Sequence, residues 1–182
     1  MKLLKLTALV LLALGTLATS ATPPPLPVLE HKVDLERYAG DWYVHGNIPL
    51  KIPFFSDAKA YNYAESYRLL EDGRIEMTCR FNVGDFDGKV RSFSFSGEVA
   101  DTDTFSEWRV QFMWPIKASY NIIYLDDHYR HTIVASKDRK LAWIMSRDAE
   151  MNDMTYTRLV DMLTAAGYQT HKMRRVPHRV SS

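Results

Sequence analysis

From Asp41 onward, apolar and polar side chains alternate with a period of two. Ile75, Met77, Cys79 and Phe81 are separated by Glu76, Thr78 and Arg80, and Phe93, Phe95 and Gly97 by Ser94 and Ser96. Successive side chains of a strand point to opposite faces, so this pattern predicts strands with one apolar and one polar face. Eight such segments follow one another, over 42–47, 58–70, 74–83, 90–100, 107–114, 120–125, 131–136 and 141–146. Turn-forming residues separate them, among them Glu71-Asp72-Gly73, Gly84-Asp85-Phe86-Asp87-Gly88, Asp101-Thr102-Asp103 and Lys137-Asp138-Arg139-Lys140. Separators this short make neighbouring strands antiparallel.

One segment carries helical spacing instead. Asn152 or Asp153 caps its start, Tyr156, Leu159, Val160 and Leu163 recur on one face, and Gly167 closes it. A lone amphipathic helix after a run of strands packs outside the sheet, and a short last strand is expected over 169–173. Eight meandering strands hide their edges either as a sandwich or as a closed barrel. Strand order favours neither. The bulk of the apolar positions tips the reading to a barrel, which at about eight strands encloses room for side chains or one small ligand.

The N-terminus sets the compartment. Met1-Lys2-Leu3-Leu4-Lys5 is a cationic head, followed by an apolar run over 6–17 and then Ala18-Thr19-Ser20-Ala21. This is the layout of a secretory signal peptide, because the apolar run falls short of the ~20 residues a membrane span needs. The expected organisation is a signal peptide over 1–21, a Pro-rich extended arm over 22–32, one domain over 33–177 and a tail over 178–182. The product is expected in the periplasm or secreted. Without Lys2 and Lys5 the chain carries 21 basic and 22 acidic residues, so no positive field marks it for nucleic acid. Cys79 is the only cysteine, so no intrachain disulfide can form and the fold must hold by packing.

Three blocks now point to a family. Gly40-Asp41-Trp42-Tyr43 resembles the Gly-x-Trp motif of the lipocalins, preceded as in that family by a short capped turn, Asp34-Leu35-Glu36-Arg37-Tyr38. Residues 120–131, YNIIYLDDHYRH, which include Asp126, resemble the second block, and Ala142-Trp143-Ile144-Met145-Ser146-Arg147 the third. In this order, with the helix after the third, the chain resembles the bacterial lipocalin and apolipoprotein D branch over 33–177. The resemblance implies an all-β fold: an eight-stranded antiparallel up-and-down barrel, open at one end, with one C-terminal α-helix packed outside. It also implies a small apolar ligand inside, in bacterial members a fatty acid or lysophospholipid, and a lipid anchor. No cysteine follows the small-residue segment, so the chain departs from its relatives at the anchor.

Strand polarity then sorts the residues. Trp42 starts the first strand and Arg147 ends the last, so both lie at the closed end, where a guanidinium can stack on the indole for about 0.5 to 2 kcal/mol. Gly40, Trp42, Asp126 and Arg147 are read as structural. Counting back from Arg147 turns Met145, Trp143 and Leu141 inward; the family pattern turns Tyr67 inward, and alternation adds Tyr61, Tyr63 and Glu65. Trp108, Val110, Tyr120, Ile122 and Tyr124 follow on later strands. Positions matching ligand-facing sites in apolipoprotein D are Tyr67, Phe81, Phe112, Tyr120 and Trp143. The candidate ligand wall is Tyr63, Tyr67, Met77, Phe81, Phe93, Phe95, Phe112, Tyr120, Ile122 and Trp143; read singly, each is equally a packed core residue.

The mouth is framed by the loop over 49–57, where Phe54 and Phe55 between prolines form a greasy lip. They either gate the cavity, touch a membrane or second subunit, or pack on the rim; Trp114 and Pro115 add to that rim. A transient membrane contact and a homodimer through it stay open. No nucleophilic triad, paired metal-ligand spacing or cofactor motif stands out among the Ser and His residues, and His45 reads as outward and solvated. Cys79 faces inward, either as a small apolar filler or as the thiol of a lipid-isomerising enzyme. Glu65 is either a partner for a ligand head group or a sign that the register slips there.

Overall fold

The computed structural model describes residues 23–53 and 55–179; the expected signal peptide, Phe54 and the end of the tail lie outside them. Helix α1 (Leu35–Tyr38) leads into β1 (Gly40–Ile48), and a two-rung hairpin, β2 (Lys51–Ile52) and β3 (Phe55–Ser56), follows it. Seven strands come next: β4 (Ala60–Leu69), β5 (Ile75–Val83), β6 (Val90–Val99), β7 (Glu107–Met113), β8 (Ile116–Leu125), β9 (His131–Ala135) and β10 (Ala142–Ser146). Each pairs antiparallel with the next, β1 pairs with β4, and β10 returns to β1, so β1 and β4–β10 close an eight-stranded barrel. The expected strands are all present, with β8 beginning earlier, at Ile116. Helix α2 (Asp153–Ala165) starts where the sequence placed it, with Asn152 Oδ1 accepting from Thr155 N at 2.8 Å, and Gly167 beyond it has φ +83°.

Two apolar clusters result. One fills the barrel; the other lies between its wall and α2, where Leu159 and Leu163 meet Ile133 and Ile144. On β10 this buries both faces, Trp143 and Met145 inward, Ala142 and Ile144 under the helix. At Gly46 the helix comes so close that a Cβ would lie 2.7 Å from Tyr156 Oη.

The floor is built as expected and more extensively. Arg147 stacks 3.9 Å from the Trp42 ring centre, and its Nη2 donates to the carbonyl oxygens of Arg37, Tyr38 and Ala39 at 2.8, 2.9 and 2.9 Å. Its Nη1 donates to Asp41 O at 2.7 Å, and Gly40, with φ +89°, makes the turn beneath. Tyr38 lies 5.1 Å from Trp42 and 5.6 Å from Trp108, completing an aromatic layer. Asp126 holds the neighbouring turn by accepting from the backbone of His128, Arg130 and His131.

The register shifts in four places, one of them between Gln111 and Met113 of β7, and three bear on residues the sequence placed. In β4 the register shifts between Tyr61 and Ala64 around Asn62, whose φ is +47°; Ala60 takes the inward place and Tyr61 turns out against Phe86 and Arg174. In β8 a shift between Ile122 and Tyr124 turns Tyr124 out, where Arg158 of α2 donates to its hydroxyl at 3.1 Å. In β1 the shift lies between Val44 and Gly46. His45, in that bulge, is 3 % exposed rather than solvated: Nε2 donates to Asp148 O at 2.9 Å and the His178 ring lies 4.9 Å away.

The last strand is also displaced. Residues 170–172 form a 3₁₀ turn, and the pairing segment is β11 (Arg174–Arg175), which joins the edge of β1 outside the barrel. Val176 N donates to His45 O and Asn62 N to Pro177 O, so the C-terminal strap spans β1 and β4 where they part. The Pro-rich arm runs along the wall without regular structure; Leu26 packs on the outer cluster and Val33 N donates to Thr104 O at 2.7 Å.

The hairpin β2–β3 lies across the open end. Leu50 N donates to Asp57 Oδ1 at 2.8 Å, which pins its base. Asp57 is fully buried, and loss of solvation lifts its carboxyl to about 7, partly opposed by the Leu50 hydrogen bond; Glu65 adds a smaller like-charge push upward. Burial moves His45 the other way, to about 4.

Trp42→Ala is expected to lower the unfolding free energy by about 3 to 5 kcal/mol, read by denaturant titration, because it removes the ring on which Arg147 rests. A pH series separates the two buried groups. Asp57, with its pKa raised on folding, contributes stability that is complete below the unfolded value near 4 and lost as pH rises through about 7. His45, with its pKa lowered, contributes stability present above its unfolded value near 6.5 and lost as pH falls through about 4. The two slopes oppose each other, so variants resolve them. Asp57→Asn should gain on the wild type between pH 4 and 7 by at most about 1.4 kcal/mol per unit; a constant difference would show that Asp57 is not desolvated.

Candidate functional site: the barrel interior

The inward faces of β4–β8 and β10 converge on a chamber with an apolar top and a polar bottom. At the top stand Phe81, Phe93 and Phe95. The ring of Phe55, from the hairpin, drops among them, 6.0 Å from Phe81, 4.9 Å from Phe93 and 6.1 Å from Phe95, and Phe55 is 8 % exposed. Of the alternatives for the lip, the structure shows Phe55 as a stopper pointing down the barrel. Trp114, 84 % exposed, stands on the rim.

Below the phenylalanines lies a cavity of about 20 Å3, lined by Leu50, Phe55, Tyr63, Glu65, Met77, Cys79, Phe95, Phe112, Tyr120 and Trp143. A space of that size holds about one water molecule. The expectation of open room for an acyl chain is therefore corrected for this state: the aromatic rings, Phe55 included, fill the chamber. Of the expected wall, Tyr63, Met77, Phe95, Phe112, Tyr120 and Trp143 border the cavity. Tyr67, Phe81, Phe93 and Ile122 belong to the same inner cluster but stand back from it, Tyr67 and Ile122 fully within the packing. Leu50 and Phe55 reach the cavity from the hairpin, and no strand periodicity could have placed them there.

At the bottom, Glu65 projects inward as alternation required, across from Trp42 on one side and Cys79 on the other. Three phenols surround its carboxyl. Tyr63 donates to Oε1 at 3.1 Å; Tyr67 and Tyr120 donate to Oε2, the latter at 3.1 Å, and the two hydroxyls touch each other. Burial pushes the Glu65 pKa up and the three hydrogen bonds pull it down, with burial prevailing. The sequence flagged Glu65 and named each tyrosine, but the bonds joining them depend on the barrel's closure. Trp143, stacked 6.0 Å from Tyr120, presents an indole Nε1 that is buried and has no acceptor among the described residues.

Cys79 is 4 % exposed, and burial, reinforced by the Glu65 charge, drives its thiol pKa far up. Nucleophilic and redox-active thiols need the opposite shift. Among the described residues, no group of three or more His, Cys, Asp or Glu is disposed to hold a metal ion.

Comparison with known proteins agrees with this geometry. The chain is 27% identical to the outer membrane lipoprotein Blc of Citrobacter freundii, over 95% of this chain and 96% of that protein. It is 28% identical to temperature-induced lipocalin-1 of Arabidopsis thaliana (80% and 79% covered), and 23% to apolipoprotein D of Bos taurus (82% and 79%). Among solved structures, lobster apocrustacyanin A1 superposes with a TM-score of 0.60 at 12% identity, covering 81% of each chain, a likeness of fold. A family model described as a lipocalin-like domain matches residues 33–178, the barrel together with the helix and the strap. With the match extending over most of its length, the chain belongs to the lipocalin-like domain family.

Proposed function

We propose that this protein binds a fatty acid or lysophospholipid within its barrel and carries or stores it in the cell envelope. Lipocalins bind small hydrophobic ligands, and the observation that carries the finer reading is the Phe55 stopper. A closed aromatic chamber plugged by one ring on a two-rung hairpin can exchange that ring for an alkyl chain without disturbing the barrel wall. Phe81, Phe93 and Phe95 would then clasp the chain, and a charged head group would stay at the mouth in water.

Export supports the placement. The N-terminal sequence has the signal-peptide pattern, and three of the relatives are named outer membrane lipoproteins. On this reading the protein acts in the periplasm or outside the cell, with Trp114 as the point of transient contact with a membrane or a second copy.

Delipidated protein should gain thermal stability with dodecanoate or a lysophospholipid, in step with ligand concentration, and its tryptophan emission should change. No shift and no change across a range of acyl chains would end this reading. Phe55→Ala should bind the same chains more tightly, by at most about 1.5 to 3 kcal/mol, the free energy of exposing a phenylalanine side chain; unchanged affinity would mean that the ring stays in place when ligand binds. Cys79 should resist alkylation at pH 8 until the protein unfolds, and Cys79→Ala should bind acyl ligands like the wild type; fast native labelling would reopen a chemical role.

A further inference from the structure

The chamber's polarity runs opposite to what a ligand with an outward head group alone would require. Its top is phenylalanine, the Glu65–tyrosine cluster lies at the bottom beside the Trp42 layer, and Trp143 faces the same cavity from higher on β10. Those groups form a specific inventory. Tyr63 donates to Oε1 of Glu65, and Tyr67 and Tyr120 share their two protons between Oε2 and each other, which leaves Oε1 with an open acceptor position. Trp143, 4 % exposed and lining the same cavity, contributes an indole N–H without an acceptor among the described residues. A buried donor left unpaired is costly, so Trp143 calls for an acceptor atom in this space.

We infer that the floor of the barrel is a hydroxyl-binding subsite, in which an alcohol group of the ligand accepts from Trp143 Nε1 and donates to Glu65. The inference rests on the reading of the barrel as a lipid site and adds the orientation and chemical class of the best ligand. That ligand is a neutral long-chain alcohol or a monoacylglycerol-like amphiphile, entering hydroxyl first, its alkyl body replacing the Phe55 ring. The competing head groups fit less well. A carboxylate would lie against Glu65 with no cation beside either, since only the three phenols offset the burial of Glu65. An ammonium could pair with Glu65 but has no lone pair for Trp143. A hydroxyl has both a proton and lone pairs. Fatty acids and lysophospholipids bind with the chain inward and the charge at the mouth, and leave the floor to the single water its cavity accommodates.

The test uses four ligands of one chain length: dodecanol, dodecyl methyl ether, dodecanoate and dodecylamine, each displacing a fluorescent acyl probe from delipidated full-length mature protein. Dodecanol should displace the probe at concentrations about tenfold lower than the ether, which can accept but not donate, and lower than either charged ligand. Trp143→Phe, which keeps the ring and removes the N–H, and Glu65→Gln should each reduce the alcohol-to-ether ratio toward one. The second variant guards against misfolding of the first. Equal binding of alcohol and ether, a preference that survives both variants, or tightest binding of the amine would each overturn the hydroxyl subsite while leaving lipid binding intact. If neither the probe nor any of the four ligands binds, the lipid-binding reading fails and the subsite with it.

Discussion

A single guanidinium closes this barrel. Arg147 lies on Trp42 and gathers four backbone carbonyls from residues 37 to 41, so the turn of α1, the start of β1 and the end of β10 are held by one side chain. A lysine could offer only a point charge here; the planar fork reaches several acceptors while its face stays on the indole. Tyr38 and Trp108, both buried, extend the same aromatic layer. Whatever adapts to a ligand must therefore do so at the other end.

That seal explains the chemistry above it. A carboxyl one step over a dry aromatic layer loses its hydration, and for Glu65 the loss exceeds what three phenolic hydrogen bonds return, since its pKa stays above the ordinary value. Each of those phenols is held in turn by packing: Tyr67 edge-on to Tyr38, Tyr120 stacked on Trp108, Tyr63 against Phe81. The polar group is thus fixed by the aromatic framework and has little freedom to follow a ligand. On the proposed reading, such a preorganised floor would select by the number and kind of hydrogen-bonding atoms presented to it, and the phenylalanine top only by apolar bulk.

Much of this was legible in the sequence, and what was not has a common cause. Period-two alternation and turn residues located all eight barrel strands, and strand polarity, applied to the one-end-open barrel that the family resemblance implied, put Trp42 and Arg147 on the floor. Tyr61 and Tyr124, expected inward, both lie at or beside bulges, where one extra residue reverses the facing of its neighbours. Asn62 tolerates its positive φ better than most residues, but asparagine is common in polar loops and strands alike, so it gives no warning on its own. The burial of His45 comes from the strap that crosses it some 130 residues later in the chain, and β11 is fixed by that crossing more than by its own two arginines. Glu65 stood out as an anomaly in an aromatic face, and only closure of the barrel shows which tyrosines answer it.

The filled chamber is the last point on which sequence and structure part, and energetics accounts for it. The abundance of inward aromatics suggested room, because so many large side chains around a barrel must enclose something. An apolar void of about 300 Å3, the size of a small ligand site, would cost about 7 kcal/mol at ~24 cal/mol per Å3. That is comparable with the whole stability of an ordinary domain, roughly 5 to 15 kcal/mol. A chain with one cysteine has no disulfide to offset such a loss, so the ligand-free barrel is stable only if its own residues occupy the space. The wall cannot collapse, since hydrogen bonding around eight strands fixes its circumference. The filler must come from a segment outside the ladder, and the hairpin carrying Phe55 is that segment. On the proposed reading, ring and ligand would exclude each other, and the apolar contacts that hold Phe55 in the empty protein would set the free energy a ligand must exceed to enter.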